Sequence, residues 1–440
     1  MMKDQTRKLI RYTLPSILSM MSIFLFGIVD GIFVGHGVGI NAVGAVNISF
    51  PFVMFFMALT MLTTIGALTI TAIRIGRKDF EGANQVFSLA IVLNIAIGAV
   101  LCILGTIFTG PLARMLGATD TFYPLVKEYL FWYSIFIIPC CLNNAFLGFA
   151  RNDGVPELVS ILTIGSSVFN IIGDYVLIFP LQMGLKGASI ATGLAQTLSL
   201  LCVYCHFLFK RGKLRLGRLH IDPHLVFNMF RRGMPECVAQ FGTPVTMVLT
   251  NVMLAKYLGD DALNAYSLLM YIATLGASIF IGSSQGLQPL FGNSYGEGNE
   301  SDLRYYLRAG IFISVGGGMI VNFCLLFSGP AVSLLFNSNE AAQSLFAQHM
   351  PKYLVSILLE AVTVTISAFL YSTTRSKAAL TIHVLRAFVV DTIVILSIPY
   401  VLGSQNLWFA PLIIETIIMT TAIALLKYNT RNGLIGAERE

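Results

Sequence analysis

Runs of apolar residues, each long enough to cross a bilayer, recur along the whole chain and leave room for little except a membrane helix bundle. A spanning helix needs about 20 predominantly apolar residues. Twelve runs on that scale fall roughly at 12–34, 46–72, 86–110, 124–149, 158–180, 187–209, 233–257, 264–290, 306–329, 347–371, 378–401 and 406–426. Composition agrees: of 440 residues, 56% are hydrophobic and only 11% charged, against about a quarter charged in a soluble domain. So few charges cannot coat a compact body of this size, which excludes a soluble enzyme, and the same numbers exclude disorder. Thirty-nine glycines and 17 methionines fit membrane helices that approach closely through small residues. The first run follows Lys3, Arg7, Lys8 and Arg11 as a signal peptide would. It is long, lacks a small-residue cleavage site and carries Asp30, so it reads as a retained helix.

Basic residues set the orientation. With the N-terminus inside, the inner loops collect 23 of the 28 lysines and arginines, Arg218, Arg386 and Arg439 among them. The outer loops hold only Arg114, Lys127, Lys186, Lys256 and Lys352. That bias predicts twelve spans with both termini cytoplasmic, in the plasma membrane. The basic stretch KRGKLRLGR, 210–218, lies in the longest inner link, so the same rule accounts for it. Attraction to anionic headgroups ranks next and nucleic acid a poor third. Seven cysteines, an odd number within apolar stretches, read as buried thiols without a disulfide framework. Cys202-Val-Tyr-Cys205-His206 has the spacing of a haem attachment motif. It runs into Lys210 and Arg211 on the cytoplasmic side, the wrong compartment for haem, and no second metal-ligand pair is near.

The same link separates two similar halves. A shift of 220 residues lays Leu14-Pro15 on Met234-Pro235, Gly39 on Gly259, Ala42 on Ala262, Ala45 on Ala265, Gly66 on Gly286 and Gly76 on Gly296. Six spans per half start both halves inside, so the repeat is parallel and its axis runs along the membrane normal, as in transporters with the substrate path between halves. The expected division is an N-lobe of 1–215 with helices one to six and a C-lobe of 216–440 with helices seven to twelve.

A carboxylate at mid-bilayer costs at least about 2.5 kcal/mol, so each one needs a reason. The candidates are Asp30, Asp174, Glu360, Asp391 and Glu415, with Glu236 beside Pro235 nearer a helix end. Asn170 lies one turn before Asp174 on the same helix face, and Thr192 in the sixth span adds a hydroxyl. Two carboxylates, an amide oxygen and a hydroxyl make a proton-sharing pair or a hard-cation site; such groups also serve merely to bond helices together. Glu415 follows Trp408 and Pro411 and reads as a helix-end anchor, Asp391 as a structural partner of Arg386, and Glu360 as a lone acid in an apolar run, a candidate for a central cavity. Methionines and phenylalanines crowd the first two spans. Most pack or face lipid, while Phe26, Met57 and Met61 are candidates for a pliable pocket for organic cations.

Several strings, in order and spacing, resemble the multidrug and toxic compound extrusion (MATE) family, and most closely its bacterial multidrug branch. They are Pro15, VDGIFVGHGVG (29–39), ARNDG (150–154), NIIGDYVLIF (170–179) and LKGASIAT (185–192), then GMPE (233–236), QGLQPLFGNSYGEGN (285–299) and LWFAPLIIE (407–415). The resemblance implies an all-α integral membrane protein, two six-helix lobes forming a V that alternates between outward-open and inward-open states. It maps the family's N-lobe cation site onto Asp30, Asn170, Asp174 and Thr192, and a hinge that responds to Asp30 onto Pro15. Two departures stand out. Where some members carry a tyrosine one turn before the first-helix aspartate, this chain has Phe26. Where some relatives place acids deep in helices seven and ten, it has Glu236 close to a proline, Thr243 deeper, and Glu360 early in the tenth, so no C-lobe sodium site is expected.

The expected function is therefore an antiporter that exports amphipathic, mostly cationic organic compounds in exchange for H+, with Na+ at the same four residues as the other ion. No cofactor is expected beyond that ion. Expected partners are small organic cations or drugs and the lipid bilayer, without nucleic acid, and the expected state is a monomer. A flippase or exporter of a dedicated lipid-linked or metabolite substrate is the alternative; it calls for a cationic cavity, whereas the internal charges are mainly acidic. A membrane enzyme calls for a nucleophile–base pair or metal cluster, and a channel for a filter motif; the sequence displays none of these.

Overall fold

The computed structural model describes residues 2–217, 221–335, 340–431 and 433–435, so Arg218 and Arg439 fall outside the described residues, as does the side chain of Thr243. Among the described residues every regular element is helical. In chain order these are α1 (Met2–Gly37), α2 (Ile40–Gly76), α3 (Phe80–Ile107), α4 (Thr109–Met115), α5 (Tyr123–Ile135), α6 (Ile137–Asn152), α7 (Pro156–Ile178) and α8 (Gly184–Leu208). The second half continues with α9 (Pro223–Leu258), α10 (Asp260–Glu297), α11 (Glu300–Leu335), α12 (Glu340–Ser372), α13 (Ser376–Val384), α14 (Asp391–Ile398) and α15 (Ala410–Asn429).

Among the described residues, ten helical stretches are long and apolar enough to cross a membrane. The pair α5 and α6 adds one more, a single span bent by 50° at Phe136. The stretch Ser376–Asn429, at 54 residues, is more than twice what one span requires and is interrupted between Pro399 and Phe409, where Gly403 takes φ 90°. It crosses as two. The described helices thus accommodate the twelve spans read from the sequence. Most extend beyond the apolar runs: α1 starts ten residues before its run, which places Pro15 in a helix interior rather than at its start. Glu236 likewise lies well inside α9, not near its end.

Packing divides the chain into two units, one of residues 1–20 with 238–440 and the other of 21–237. These follow contacts, whereas the lobes expected from the repeat follow chain order; each unit takes the start of the other half's first helix. The reason is local and occurs twice. Gly66 of α2 lies against the backbone of Met229 in α9, where an added Cβ would sit 1.8 Å from the carbonyl oxygen. Gly286 of α10 lies against Tyr12 in α1, and its Cβ would sit 2.5 Å from that carbonyl oxygen. Only glycine permits either approach, and the two positions are equivalents under the 220-residue shift. Gly39 (φ 116°) and Gly259 (φ 83°), also equivalents, turn the chain from the first to the second helix of each half in backbone regions closed to other L-residues.

Within the unit of 21–237, Phe52, Phe56, Leu130, Tyr133, Ile137 and Leu185 form a buried core drawn from α2, α5, α6 and α8. In the other unit Phe280, Phe291, Phe346 and Phe369 are fully buried, and Phe291 meets Phe369 edge to face at 5.2 Å. Outward faces are apolar as well, with Val100, Ile107, Ile161, Phe312, Ile320 and Phe323 all exposed. Continuous apolar exposure of that extent has a stable explanation in lipid contact.

Candidate functional site

Within the unit of 21–237, three helices close on one polar point. On α1, Phe33 packs edge to face on Phe179 at 5.8 Å and tilts against Tyr175 at 6.4 Å, and Gly37 lies against Ile178. These contacts set α1 on α7, so Asp30, about a turn before Phe33, falls beside Asp174, the neighbour of Tyr175. On the far side of α7, Gly173 fits closely against Ala191 of α8, where an added Cβ would lie 3.1 Å from that of Ala191. That closeness brings Thr192 to Asn170, whose Nδ2 donates to the threonine Oγ1 at 3.4 Å.

The result is a buried surplus of acceptors. Asp174 is 0% exposed and Asn170 2%. Asp30 Oδ1, Asn170 Oδ1 and both oxygens of Asp174 are buried without a hydrogen-bond donor. The two carboxyl groups are near enough for each to act on the other electrostatically, and an ionised pair has no proton with which to bridge them. A buried carboxylate without a partner is costly by several kcal/mol. A proton shared between Asp30 and Asp174, or a cation bound among the four oxygens, removes the cost.

Tyr129 of α5 is a fifth member that sequence reasoning missed. Both carboxylates act electrostatically on its hydroxyl, and its ring stacks on Tyr133 at 5.8 Å and 19°. The hydroxyl absent at Phe26 is thus present from another helix. A tyrosine inside an apolar run carries no charge to mark it; the i,i+4 pair Tyr129 and Tyr133 was the available signal.

The other sequence candidates fall elsewhere. Pro15 lies on the portion of α1 that packs with the C-terminal half, and its carbonyl accepts from Ser19 Oγ at 2.8 Å. Phe26 is half-buried a turn before Asp30, Met57 packs partly buried on the core around Phe56, and Met61 is half-buried. Glu360 is not alone: Arg386 Nη2 donates to its Oε1 at 2.8 Å and also to Glu415 Oε1. Arg386 therefore belongs inside a span, not among the inner-loop cations, and Glu415, 5% exposed, is an ion-pair partner rather than a helix-end anchor. Asp391 accepts from Thr246 Oγ1.

The histidine of the Cys202–His206 string is committed elsewhere, since His206 Nε2 meets Asp153 Oδ2 at 2.8 Å with both side chains buried. The other Asp153 oxygen accepts from the backbone N–H of Lys213 at 2.6 Å and of Leu214 at 2.9 Å. Arg215 N–H reaches Asn84 Oδ1 and Gly217 N–H reaches Ser88 Oγ. The basic link is therefore strapped by its backbone to the ends of α3 and α6.

Comparison with known proteins places this arrangement. Multidrug export protein MepA of Staphylococcus aureus (strain bovine RF122 / ET3-1) is 23% identical over 434 residues, covering 97% of this chain and 94% of that protein. MepA of Staphylococcus haemolyticus is also 23% identical, with the same coverage. In structure, a variant of the Vibrio cholerae MATE transporter VcmN superposes with a TM-score of 0.91 at 19% identity, over 98% of this chain and 99% of that one. An outward-facing multidrug resistance MATE family transporter gives 0.90 at 22% identity, over 96% and 95%. The family described as MatE matches residues 15–176 and again 235–396, two segments of equal length offset by the repeat shift of 220. With both halves matched, the chain belongs to the MatE family of multidrug and toxic compound extrusion transporters.

Proposed function

We propose that this protein is a secondary active efflux antiporter of the plasma membrane that exports amphipathic, mostly cationic organic compounds in exchange for protons. The coupling site is Asp30, Asn170, Asp174 and Thr192, with Tyr129 beside them. The observation that carries this reading is the buried surplus of acceptor oxygens on α1 and α7, which calls for one added positive charge. A proton answers that need by turning one carboxyl into a donor to the other, and sodium is the second candidate for the same oxygens. The relatives named MepA are multidrug export proteins, which supports drugs as the cargo.

Coupling follows from differential affinity: an ion shifts a two-state equilibrium only by as much as it binds one state better. With Asp30 on α1 and Asp174 on α7, occupancy alters what holds α1 to its neighbour. Pro15, which cannot donate the helix hydrogen bond expected of its position, is the weak point at which α1 responds. The lobes 1–215 and 216–440 are the bodies that alternate, and both termini lie in the cytoplasm. Ethidium efflux from energised cells lacking their main pumps tests the reading. The parent is expected to export, and Asp174→Asn to lose at least about fivefold, the low end of typical coupling, with or without sodium. A sodium requirement keeps the site and replaces the ion; no export by a well-expressed parent overturns the function.

A further inference from the structure

The link that follows α8 is a fixed surface in the unit of 21–237 that the proposed coupling site does not use. Lys210, at φ 51°, turns the chain off the end of α8, and the next residues lie along the ends of α3 and α6. Gly212 is set against Asp153, where an added Cβ would overlap the carboxylate. The backbone N–H groups of Lys213 and Leu214 donate to Asp153, that of Arg215 to Asn84 and that of Gly217 to Ser88. Leu214 is fully buried by this arrangement, and Asp153 is braced in turn by the buried His206.

A backbone tied inward leaves the charged side chains outside. Lys210, Arg211, Lys213 and Arg215 are all exposed, and among the described residues none of the four pairs with a carboxylate. Two of them lie over rings instead, Arg211 over Phe209 and Lys213 over Phe80, each at 5.7 Å. Phe80 opens α3 just after Arg77 and Lys78, both exposed, so the turn before α3 adds its cations to the patch. The neighbouring acids do not cancel them. Asp79 faces Arg74 at 3.8 Å and accepts from the N–H of Gly82, which leaves Glu81. Apolar groups stand among the charges, with Phe209 64% exposed and Leu216 45%. Since α8 is a spanning helix that ends at Leu208, the residues directly after it lie at the membrane border. Cations beside exposed apolar side chains at that depth match a phosphate head on an acyl body. A soluble polyanion offers nothing to Phe209 and Leu216, and a zwitterionic lipid brings no net charge.

We infer that the strapped link 209–217 is a docking site for anionic phospholipid, its headgroup phosphate held by Lys210, Arg211, Lys213 and Arg215 and its acyl chains beside Phe209 and Leu216. The strap makes the site, because it buries Leu214 and keeps the four cations on the outer side of one short segment. The site stands whichever ion or cargo the transporter takes.

The test is native mass spectrometry of the full chain, released from detergent micelles that carry phosphatidylglycerol or phosphatidylcholine with identical acyl chains. The parent is expected to retain phosphatidylglycerol in preference. The variant Lys210→Gln/Arg211→Gln/Lys213→Gln/Arg215→Gln should lose that preference at least about tenfold, since each cation near an anionic surface is worth a factor of about five. Arg7→Gln/Arg308→Gln/Lys377→Gln/Lys427→Gln removes as many exposed cations from the other unit and should leave the preference unchanged. Asp153→Ala separates a fixed site from a count of charges. It keeps all four cations and deletes a neighbouring negative charge, so charge alone predicts tighter binding, whereas loss of the strap predicts weaker. Size-exclusion elution identical to the parent certifies the fold of each variant. The inference is overturned by a parent without preference, by a preference that survives the first variant or falls equally in the second, or by tighter binding in Asp153→Ala.

Discussion

At the scale of single residues, the proposed coupling site works by deprivation: its oxygens are buried where nothing donates to them. Its members should therefore differ in what their loss costs. Tyr129→Phe removes one hydroxyl near the carboxylates without changing charge, and should lower efflux severalfold while leaving drug binding in place. Thr192→Val takes away the acceptor that engages the Asn170 amide and should displace the pH dependence of transport rather than abolish it; unaltered pH dependence would remove Thr192 from the site. Asp30, Asn170 and Asp174 were legible in the sequence because a charge in an apolar run is costly, and i,i+4 spacing puts two of them on one face. Arg386 was misplaced for the complementary reason. Hydropathy windows push a cation to the nearest inner boundary, and only the fold reveals the two carboxyl groups, Glu360 and Glu415, that pair with it within the span.

Helices carry the next level, and here the repeat proves physical as well as textual. The equivalents Gly66 and Gly286 each admit a neighbouring helix backbone at a distance no Cβ tolerates. Gly66→Ala and Gly286→Ala should each destabilise by about 1–3 kcal/mol through overpacking, read as a lower unfolding temperature in detergent. Gly165→Ala, with nothing within 4 Å of its Cβ, should be neutral or better. The link after α8 offers a parallel case, since Asp153 ties two of its backbone N–H groups. Asp153→Ala should open residues 210–217 to protease attack while the helices stay protected; an unchanged cleavage pattern would show that the strap depends on other contacts. The repeated glycines were visible in the sequence, but what they touch was not, because a shift of 220 identifies equivalent positions without naming neighbours. The helical extensions past each span escaped notice too, as they are polar and hydropathy registers only the membrane part. The bend at Phe136 has neither glycine nor proline at the break itself to announce it.

For the molecule as a whole, twelve spans with an even number per half put both termini on one side, and the proposal that this side is the cytoplasm rests on the excess of lysine and arginine in the loops that would lie there. A fluorescent protein fused after the C-terminus should be bright, and alkaline phosphatase fused at the same point inactive; the reverse would invert the topology. The central claim is that cationic drug and proton exchange through the Asp30–Asp174 pair, and purified protein in proteoliposomes tests it most directly. With an acidic lumen and a pH dye inside, adding a lipophilic organic cation outside should drive drug inward and protons outward together. The exchange should be equal in sodium and potassium buffers and absent in Asp174→Asn. Drug movement that needs a sodium gradient, proceeds without proton flux, or survives Asp174→Asn intact would contradict the account.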